Sequence, residues 1–174
     1  LKQGGYAILG LAAMLVISNL SMDIFRRFAP LALMGTMGAQ AATVLLGREI
    51  NGNRNWLDFG IVGVQPSEFL KLGLIVALSL QLSQLTGYDE DDNPIWKRVL
   101  LFSAVSVGMV AVLSKDLGSG IIMVILLMGL FLIAGMKIST WWSIVIGGLA
   151  LAVVLVSSST SRRVRFDAWL NPEA

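Results

Sequence analysis

Long apolar runs dominate this sequence and restrict the folds open to it. Six of them follow one another along the chain, at residues 5–20, 28–46, 66–85, 99–113, 117–136 and 141–158. Most approach the roughly 20 residues that a helix needs to cross the hydrocarbon core of a bilayer. Only 14% of the residues are charged, and the mean hydropathy is +0.78, whereas a soluble domain carries about 25% charged residues. The pattern predicts an all-α fold, a polytopic membrane helical bundle with about six transmembrane helices.

The composition excludes several kinds of chemistry from this stretch of chain. It contains no His and no Cys, so these residues provide neither a histidine base nor a His- or Cys-ligated metal site. The formal net charge of +2 is too small to argue for nucleic-acid binding, and we expect no nucleic-acid partner. Asp, Glu, Lys and Arg remain as the groups that can carry chemistry.

The two ends of the sequence resemble neither a natural start nor a natural end. The chain begins at Leu1 without a Met and enters an apolar run almost at once. It ends at Ala174, shortly after a basic stretch that contains Arg162, Arg163 and Arg165. We therefore expect an internal piece of a larger membrane protein.

Six consecutive spans place the connecting segments alternately on two sides of the membrane. One side receives residues 21–28, 86–98 and 135–140, and the other receives 47–64, 114–120 and 159–174. Both sets carry Lys and Arg, so the positive-inside rule does not choose an orientation. The cations on the second side indicate either an anionic ligand there or solvated loops.

The third apolar run opens with the polar sequence Gln65-Pro66-Ser67-Glu68-Phe69-Leu70-Lys71. Pro66 suits the first turn of a helix, where its missing N–H costs nothing. Glu68 then falls in the first turn, where the helix dipole favours an anion, and Lys71 shares its face three residues later. The pair is either an ion pair that anchors the helix or part of a site, because ionisable groups in a membrane are commonly functional.

Two further segments on the same side carry candidate binding residues. The loop at 47–60 holds Trp56, which either marks the headgroup level or walls a polar groove together with Arg54, whose guanidinium suits a phosphate. Asp116 stands where the fifth helix should begin, so we expect it to cap that helix, a role that can coexist with a role in a site.

Two charged clusters carry weaker signals. The acids at 89–92 form a loop that we expect to be solvated rather than metal-binding. The arginines that follow the sixth run suit lipid headgroups or a pyrophosphate. Asp167 and Glu173 are candidate carboxylates with no neighbour that would activate them.

In this order, the motifs resemble the SEDS family (shape, elongation, division and sporulation), which comprises the FtsW, RodA and SpoVE proteins. The resemblance rests on Asn51-Gly52-Asn53-Arg54-Asn55-Trp56, on Gln65 to Lys71, on Asp116-Leu117-Gly118 and on Arg165 through Asn171-Pro172. It covers essentially the whole chain, and Gln-Pro-Ser-Glu-x-x-Lys is its most specific motif. The chain departs from the family pattern at Asn55, where a basic residue usually precedes the Trp, and at Ser114-Lys115, where Gln-Pro usually precedes Asp-Leu-Gly.

The resemblance implies a place for this chain in a ten-helix protein of the bacterial plasma membrane. Residues 1–174 would form part of a single transmembrane domain, from about the second helix to the seventh, and would end at the start of the large extracellular loop. The segments at 47–64, 114–120 and 159–174 would then lie outside the cell. Within the family, the sequence of residues 52–73 resembles FtsW of actinobacteria more than RodA.

The resemblance also implies a function, a peptidoglycan glycosyltransferase that polymerises lipid II into glycan strands during division or elongation. Matching positions make Glu68 and Lys71 catalytic candidates, and Arg54, Trp56, Gln65 and Asp116 substrate-binding candidates. The family's proposed catalytic Asp lies beyond Ala174 and does not match Asp167, so the fragment alone should be inactive. A divalent cation, Mg²⁺ or Mn²⁺, is the implied cofactor, with no visible ligand set here. The implied partners are lipid II, a class B penicillin-binding transpeptidase, proteins of the division or elongation complex and membrane lipids.

Two other functions compete with the polymerase. A lipid II flippase would need polar groups through the full depth of the membrane, whereas a polymerase needs them at the outer face. A scaffold that only tethers division proteins would leave Glu68 and Lys71 without a role. We expect the charges of the site to cluster at one end of the spans, which favours the polymerase.

Overall fold

The computed structural model describes residues 2–50, 53–58, 63–85 and 94–158. Within these ranges the chain forms six α-helices, in agreement with the six predicted runs. They are α1 (Lys2–Ser18), α2 (Met22–Leu46), α3 (Pro66–Leu82), α4 (Pro94–Gly108), α5 (Leu117–Ile133) and α6 (Ile138–Ser157). A π-helical turn, Met109–Leu113, extends α4. The predicted all-α membrane bundle is therefore confirmed, although α2 and α4 begin several residues earlier than their apolar runs.

Three of these helices are long and apolar enough to cross a membrane, namely Met22–Leu46, Pro94–Leu113 and Ile138–Ser157. Two further helices, α1 and α5, are apolar but slightly shorter. Apolar side chains cover the outside of α1 and α6, and α6 buries none of its residues within the described bundle. Such surfaces are stable in contact with lipid or with further membrane helices.

The core lies around α3, which packs against α2, α4 and α5. Leu70, Leu74 and Leu78 recur every four residues along α3, so they form one buried stripe. On the opposite helix, Thr36 lies so close to Gly73 that a Cβ there would stand 2.9 Å from the threonine Oγ1. The absent side chain at Gly73 therefore lets α2 and α3 pack closely.

A small antiparallel sheet follows α2, where the sequence suggested only a loop. Its strands, in spatial order, are β1 (Arg48–Ile50), β2 (Asn53–Asp58) and β3 (Gly63–Val64). The loop prediction at 47–60 was wrong in this respect. The missed signal is Asn51-Gly52 between the paired residues of β1 and β2, because Asn-Gly is the preferred two-residue connection of a hairpin.

Candidate functional site

The start of α3 has the form that its sequence predicts. Pro66 lies in the first turn, as does Glu68, whose carboxylate is favoured there by the helix dipole. Gln65 occupies the position before the helix, and its side chain does not cap α3. The amide of Gln65 is therefore available to another element, and it points to Asp116.

Glu68 and Lys71 form the predicted ion pair on one face of α3, with 2.8 Å between the Lys71 Nζ and each carboxylate oxygen. The two side chains differ in exposure, because 53% of the Glu68 side chain is exposed but only 12% of the Lys71 side chain. The stem of Lys71 lines a cavity of about 10 Å³ together with Met123 and Leu127 of α5. The carboxylate is thus the exposed partner of the pair, and most of the Lys71 side chain is covered by neighbouring residues.

Asp116 is the centre of a buried hydrogen-bond cluster. Its Oδ2 accepts from the Asn55 side chain at 2.8 Å, from the Gln65 side chain at 3.2 Å and from the Ser119 hydroxyl at 2.8 Å. Its Oδ1 accepts from the Ser119 backbone N–H at 3.1 Å. The predicted helix cap is confirmed by this last bond, and the other three join β2, the start of α3 and the start of α5.

The surroundings of Asp116 also set its charge. Burial acts to raise the pKa of its carboxyl, but the hydrogen bonds from Asn55 and Ser119 and the positive charge of Lys71 outweigh that effect. The pKa of Asp116 therefore lies below its ordinary value. The group is an anion at neutral pH, and each of its donors makes a charge-assisted bond.

The strand β2 is tied to the turn that contains Asp116. The Arg54 backbone N–H donates to the Ser114 carbonyl at 3.1 Å, and the next side chain, Asn55, reaches Asp116. Arg54 is exposed and Trp56 is 37% exposed, while the indole of Trp56 lies against the backbone of Gly63 in β3. The segments at 47–64 and 114–120 therefore meet at one end of the bundle, as the alternation of spans predicts.

A side chain of α2 also holds the turn that contains Ser114 and Asp116. The Gln40 side chain of α2 donates to the Ser114 hydroxyl at 2.7 Å, and both residues are fully buried. Between the two anchored residues, Lys115 adopts a φ of 57°, a left-handed conformation that is uncommon for residues other than Gly. A proline could not adopt this φ. The backbone at Lys115 therefore differs from one in which the Gln-Pro of the family pattern stands at 114–115.

The structure gathers most of the predicted site residues at this end. Gln65 and Asp116 are in contact, Glu68 and Lys71 are paired, and Arg54 and Trp56 flank the residue that joins the cluster. Sequence reasoning missed the structural partners Gln40, Asn55 and Ser119. Only Ser119 left a local signal, since it stands three residues after a capping Asp. The described ranges do not include the acids at 89–92 or Arg162, Arg163, Arg165, Asp167 and Glu173.

The described ranges contain no carboxylate cluster for a divalent cation. No group of three or more acidic side chains in the described ranges converges on one point. Both oxygens of Asp116 already accept hydrogen bonds, and Glu68 is paired with Lys71. A Mg²⁺ ion is usually held by one or two carboxylates together with water and substrate phosphates, so the implied cofactor stays a prediction.

Spanning helices with a polar cluster at one end define a polytopic membrane protein whose candidate site lies at the membrane edge. The model of the FtsW/RodA/SpoVE cell cycle protein family matches residues 1–174, so the chain belongs to this family. It is thus a multi-pass bacterial membrane protein. The match does not decide between the FtsW and RodA branches, and the actinobacterial FtsW assignment stays a prediction.

Curated relatives carry the name probable peptidoglycan glycosyltransferase FtsW. The relative from Aliivibrio salmonicida is 25% identical over 96% of this chain and 42% of its own length. The relative from Tolumonas auensis is 30% identical over 89% of this chain and 40% of its own. The chain therefore spans less than half the length of these relatives.

Solved structures resemble the fold over most of the chain. A chain from a peptidoglycan synthase complex, studied for its coordination of polymerization and crosslinking, matches with a TM-score of 0.73 and 26% identity, over 99% of this chain and 51% of that one. The rod shape determining protein RodA of Thermus thermophilus matches with a TM-score of 0.66 and 29% identity, over 84% of this chain and 47% of that one.

Proposed function

We propose that the full-length protein is a peptidoglycan glycosyltransferase that polymerises lipid II at the outer face of the membrane. Its family and the names of its relatives support a glycosyltransferase. One structural observation supports the proposed location of the site. Glu68, Lys71 and the hydrogen-bond cluster around Asp116 lie together at the end of the bundle where β2 lies. In the reaction, the 4-hydroxyl of one lipid-linked disaccharide attacks the anomeric carbon of another, and undecaprenyl diphosphate leaves.

Within this chain, Lys71 suits the departing diphosphate. Only 12% of its side chain is exposed, so we expect water to screen its charge less than that of a fully exposed lysine. Glu68 holds the ammonium in place at 2.8 Å and keeps it from standing unpaired at the membrane edge. Arg54 and Trp56, which β2 presents outward, form the wall for the headgroup, and the general base belongs to the region beyond residue 174.

The distribution of charge favours polymerisation over transport. Across the described ranges, the Asp, Glu, Lys and Arg residues lie near the ends of the helices or in the connecting segments, not halfway along a span. A flippase must carry a diphosphate through the centre of the bilayer, where it needs polar partners. A pure scaffold would leave the Glu68–Lys71 pair without a role.

The remaining features of the full-length protein are proposed from the family resemblance. Residues 1–174 belong to a single transmembrane domain, and the FtsW branch is the one we favour. A class B penicillin-binding transpeptidase is the proposed partner, because a structural neighbour comes from a peptidoglycan synthase complex. We also propose proteins of the division or elongation complex and membrane lipids as partners.

The test uses the purified full-length protein in liposomes that contain lipid II. Glycan strands separated on a gel report polymerisation, and the fraction of lipid II accessible from outside reports transport. We expect strands from the wild type and almost none from Glu68→Ala. The matched control is Asp23→Ala, which removes the acid of another i,i+3 pair, Asp23–Arg26, exposed at the start of α2. Transport without strands in the wild type would support the flippase and contradict our proposal.

A further inference from the structure

We infer that Asp116 is a positioning residue, which locks the wall formed by β2 onto α3 and α5, and that it does not itself bind the substrate. An ionised carboxylate offers about four lone-pair sites. Oδ2 already accepts three hydrogen bonds and Oδ1 accepts one, so acceptor capacity remains only on Oδ1. Because Asp116 is only 8% exposed, a sugar hydroxyl has little access to that oxygen, and an approaching diphosphate would be repelled by the carboxylate.

Asn55 is the side chain that connects β2 to the Asp116 carboxylate. Exposure alternates along the strand, with Arg54, Trp56 and Asp58 exposed and Asn55 buried. Alternate residues of a strand point to opposite faces, so the residue that points inward decides which residues point outward. The bond from Asn55 to Asp116 therefore fixes Arg54 and Trp56 on the outward face, toward the proposed headgroup.

The lock is anchored to the rest of the bundle on two further sides. Gln65 ties it to the turn before Glu68, so a shift of Asp116 would disturb the start of α3. Ser114 ties it to α2 through Gln40 and to β2 through the Arg54 backbone N–H. Four elements therefore meet in a few hydrogen bonds, and the Asp116 carboxylate accepts those from Asn55, Gln65 and Ser119.

Exchanging the two partners separates a lock from a substrate contact. Asn55→Asp places two carboxylates face to face, which repel each other. The double variant Asn55→Asp/Asp116→Asn restores an amide opposite a carboxylate, with the two groups in exchanged positions. If Asp116 acts by positioning β2, the double variant should recover the wild-type labelling and activity. If Asp116 binds the substrate directly, activity should not recover, because the carboxylate then lies on the strand and not at residue 116. Asn19→Asp, at the end of α1, is the matched control for the substitution.

Two measurements on the full-length protein in liposomes follow this exchange. The first is the labelling rate of a single cysteine, Leu57→Cys on β2, with an impermeant maleimide; any other cysteine is replaced beforehand. The second is the kcat and KM for lipid II polymerisation. The effect on turnover rests on the proposed function, whereas the labelling rate reports the lock even in a protein that does not polymerise.

We expect Asn55→Asp to raise the labelling rate and to lower kcat/KM by about 10–100-fold, since a misplacement near 1 Å can cost that much. The double variant should return both quantities to within about threefold of the wild type, a residual of less than 0.7 kcal/mol. Labelling that is the same in all variants would overturn the lock. Restored labelling without restored kcat/KM, in a wild type that polymerises, would overturn the claim that Asp116 acts only by positioning and would indicate a direct substrate contact. A wild type without polymerisation would refute the proposed function, and the labelling rates would still decide the lock.

Discussion

At the scale of single residues, the site shows which contacts a sequence reveals. Glu68 and Lys71 were predicted as a pair because three residues along a helix is a fixed geometry, and they lie 2.8 Å apart. The capping bond of Asp116 was predicted for the same reason. The bond from Asn55 to Asp116 joins residues 61 positions apart, and no local pattern encodes a contact that depends on how helices pack.

The lowered pKa of Asp116 leads to a prediction about pH. Asp116→Ala should destabilise the protein at pH 7 by about 1–3 kcal/mol, because Asn55 and Gln65 lose a buried acceptor. A depressed carboxyl pKa stabilises the fold above the ordinary value of about 3.9, and this stabilisation is lost as pH falls through the lowered value. The difference in Tm between wild type and variant should therefore be constant at mildly acidic to neutral pH and shrink under stronger acid.

Thermal unfolding of the detergent-solubilised protein across this pH range measures the effect. Asp23→Ala serves as the control, since 88% of the Asp23 side chain is exposed and a surface ion pair contributes little. A difference in Tm that widens on acidification would mean that the Asp116 carboxyl is stabilised in its neutral form.

At the scale of elements, helices were predictable and strands were not. Each helix contains an apolar run that is long enough to be distinguished from the polar segments beside it. The six apolar runs therefore predicted the six helices. The strands contain two to six residues and mix polar with apolar side chains, so their pattern resembles a polar loop. Helix boundaries also shifted, because Asp23, Arg26 and Arg27 extend α2 beyond its apolar part.

The junction of α4 and α5 gives a prediction at this scale. A Cβ at Gly120 would lie 2.7 Å from the Cβ of Ala111 in the π-helical turn. Gly120→Ala should therefore push α5 away from this turn and destabilise the protein by about 1–3 kcal/mol, the usual cost of overpacking. Its Tm should fall, and glycan polymerisation should fall with it because α5 carries Ser119.

Gly129→Ala is the matched control, since Gly129 belongs to the same helix and a Cβ there meets nothing within 4 Å in the described bundle. A better helix former at this position should leave the Tm unchanged or raise it slightly. Equal effects of the two substitutions would show that the close approach at Gly120 does not constrain the packing of α5.

At the scale of the whole molecule, the polar cluster and the apolar surfaces divide the chain into two regions. Gln40, Asn55, Gln65 and Asp116 form buried polar contacts at one end, while α1 and α6 expose apolar side chains along their length. The sequence predicted the class of fold and the end of the bundle at which the candidate site residues meet. It did not predict the bonds from Gln40 to Ser114 and from Asn55 to Asp116, which join segments far apart in the sequence.

The orientation of the molecule in the membrane is testable with two single cysteines in the full-length protein. The proposed site requires the segment at 47–64 outside and the segment at 86–98 inside. Asn53→Cys should therefore react with an impermeant thiol reagent in intact cells, whereas Asp91→Cys should react only after permeabilisation. The reverse pattern, or equal labelling, would contradict an outer-face site.

The central claim, that the site is built on the first turns of α3, predicts a ranking of two cations. Arg54 is exposed, so its contact with a phosphate is screened by water, and Arg54→Ala should weaken lipid II use by roughly tenfold or less. This loss should grow as salt is lowered. Lys71 is largely buried beside Glu68, so Lys71→Ala should be almost inactive at every salt concentration.

A titration of lipid II at low and high ionic strength measures this ranking most directly, with Arg26→Ala as the control cation from the exposed Asp23–Arg26 pair. We expect Arg26→Ala to polymerise like the wild type, Arg54→Ala to show a modest, salt-dependent loss and Lys71→Ala to form almost no strands. An Arg54→Ala variant that is inactive at every salt concentration, beside a Lys71→Ala variant with a mild loss, would contradict the account and move the site from the helix to the strand.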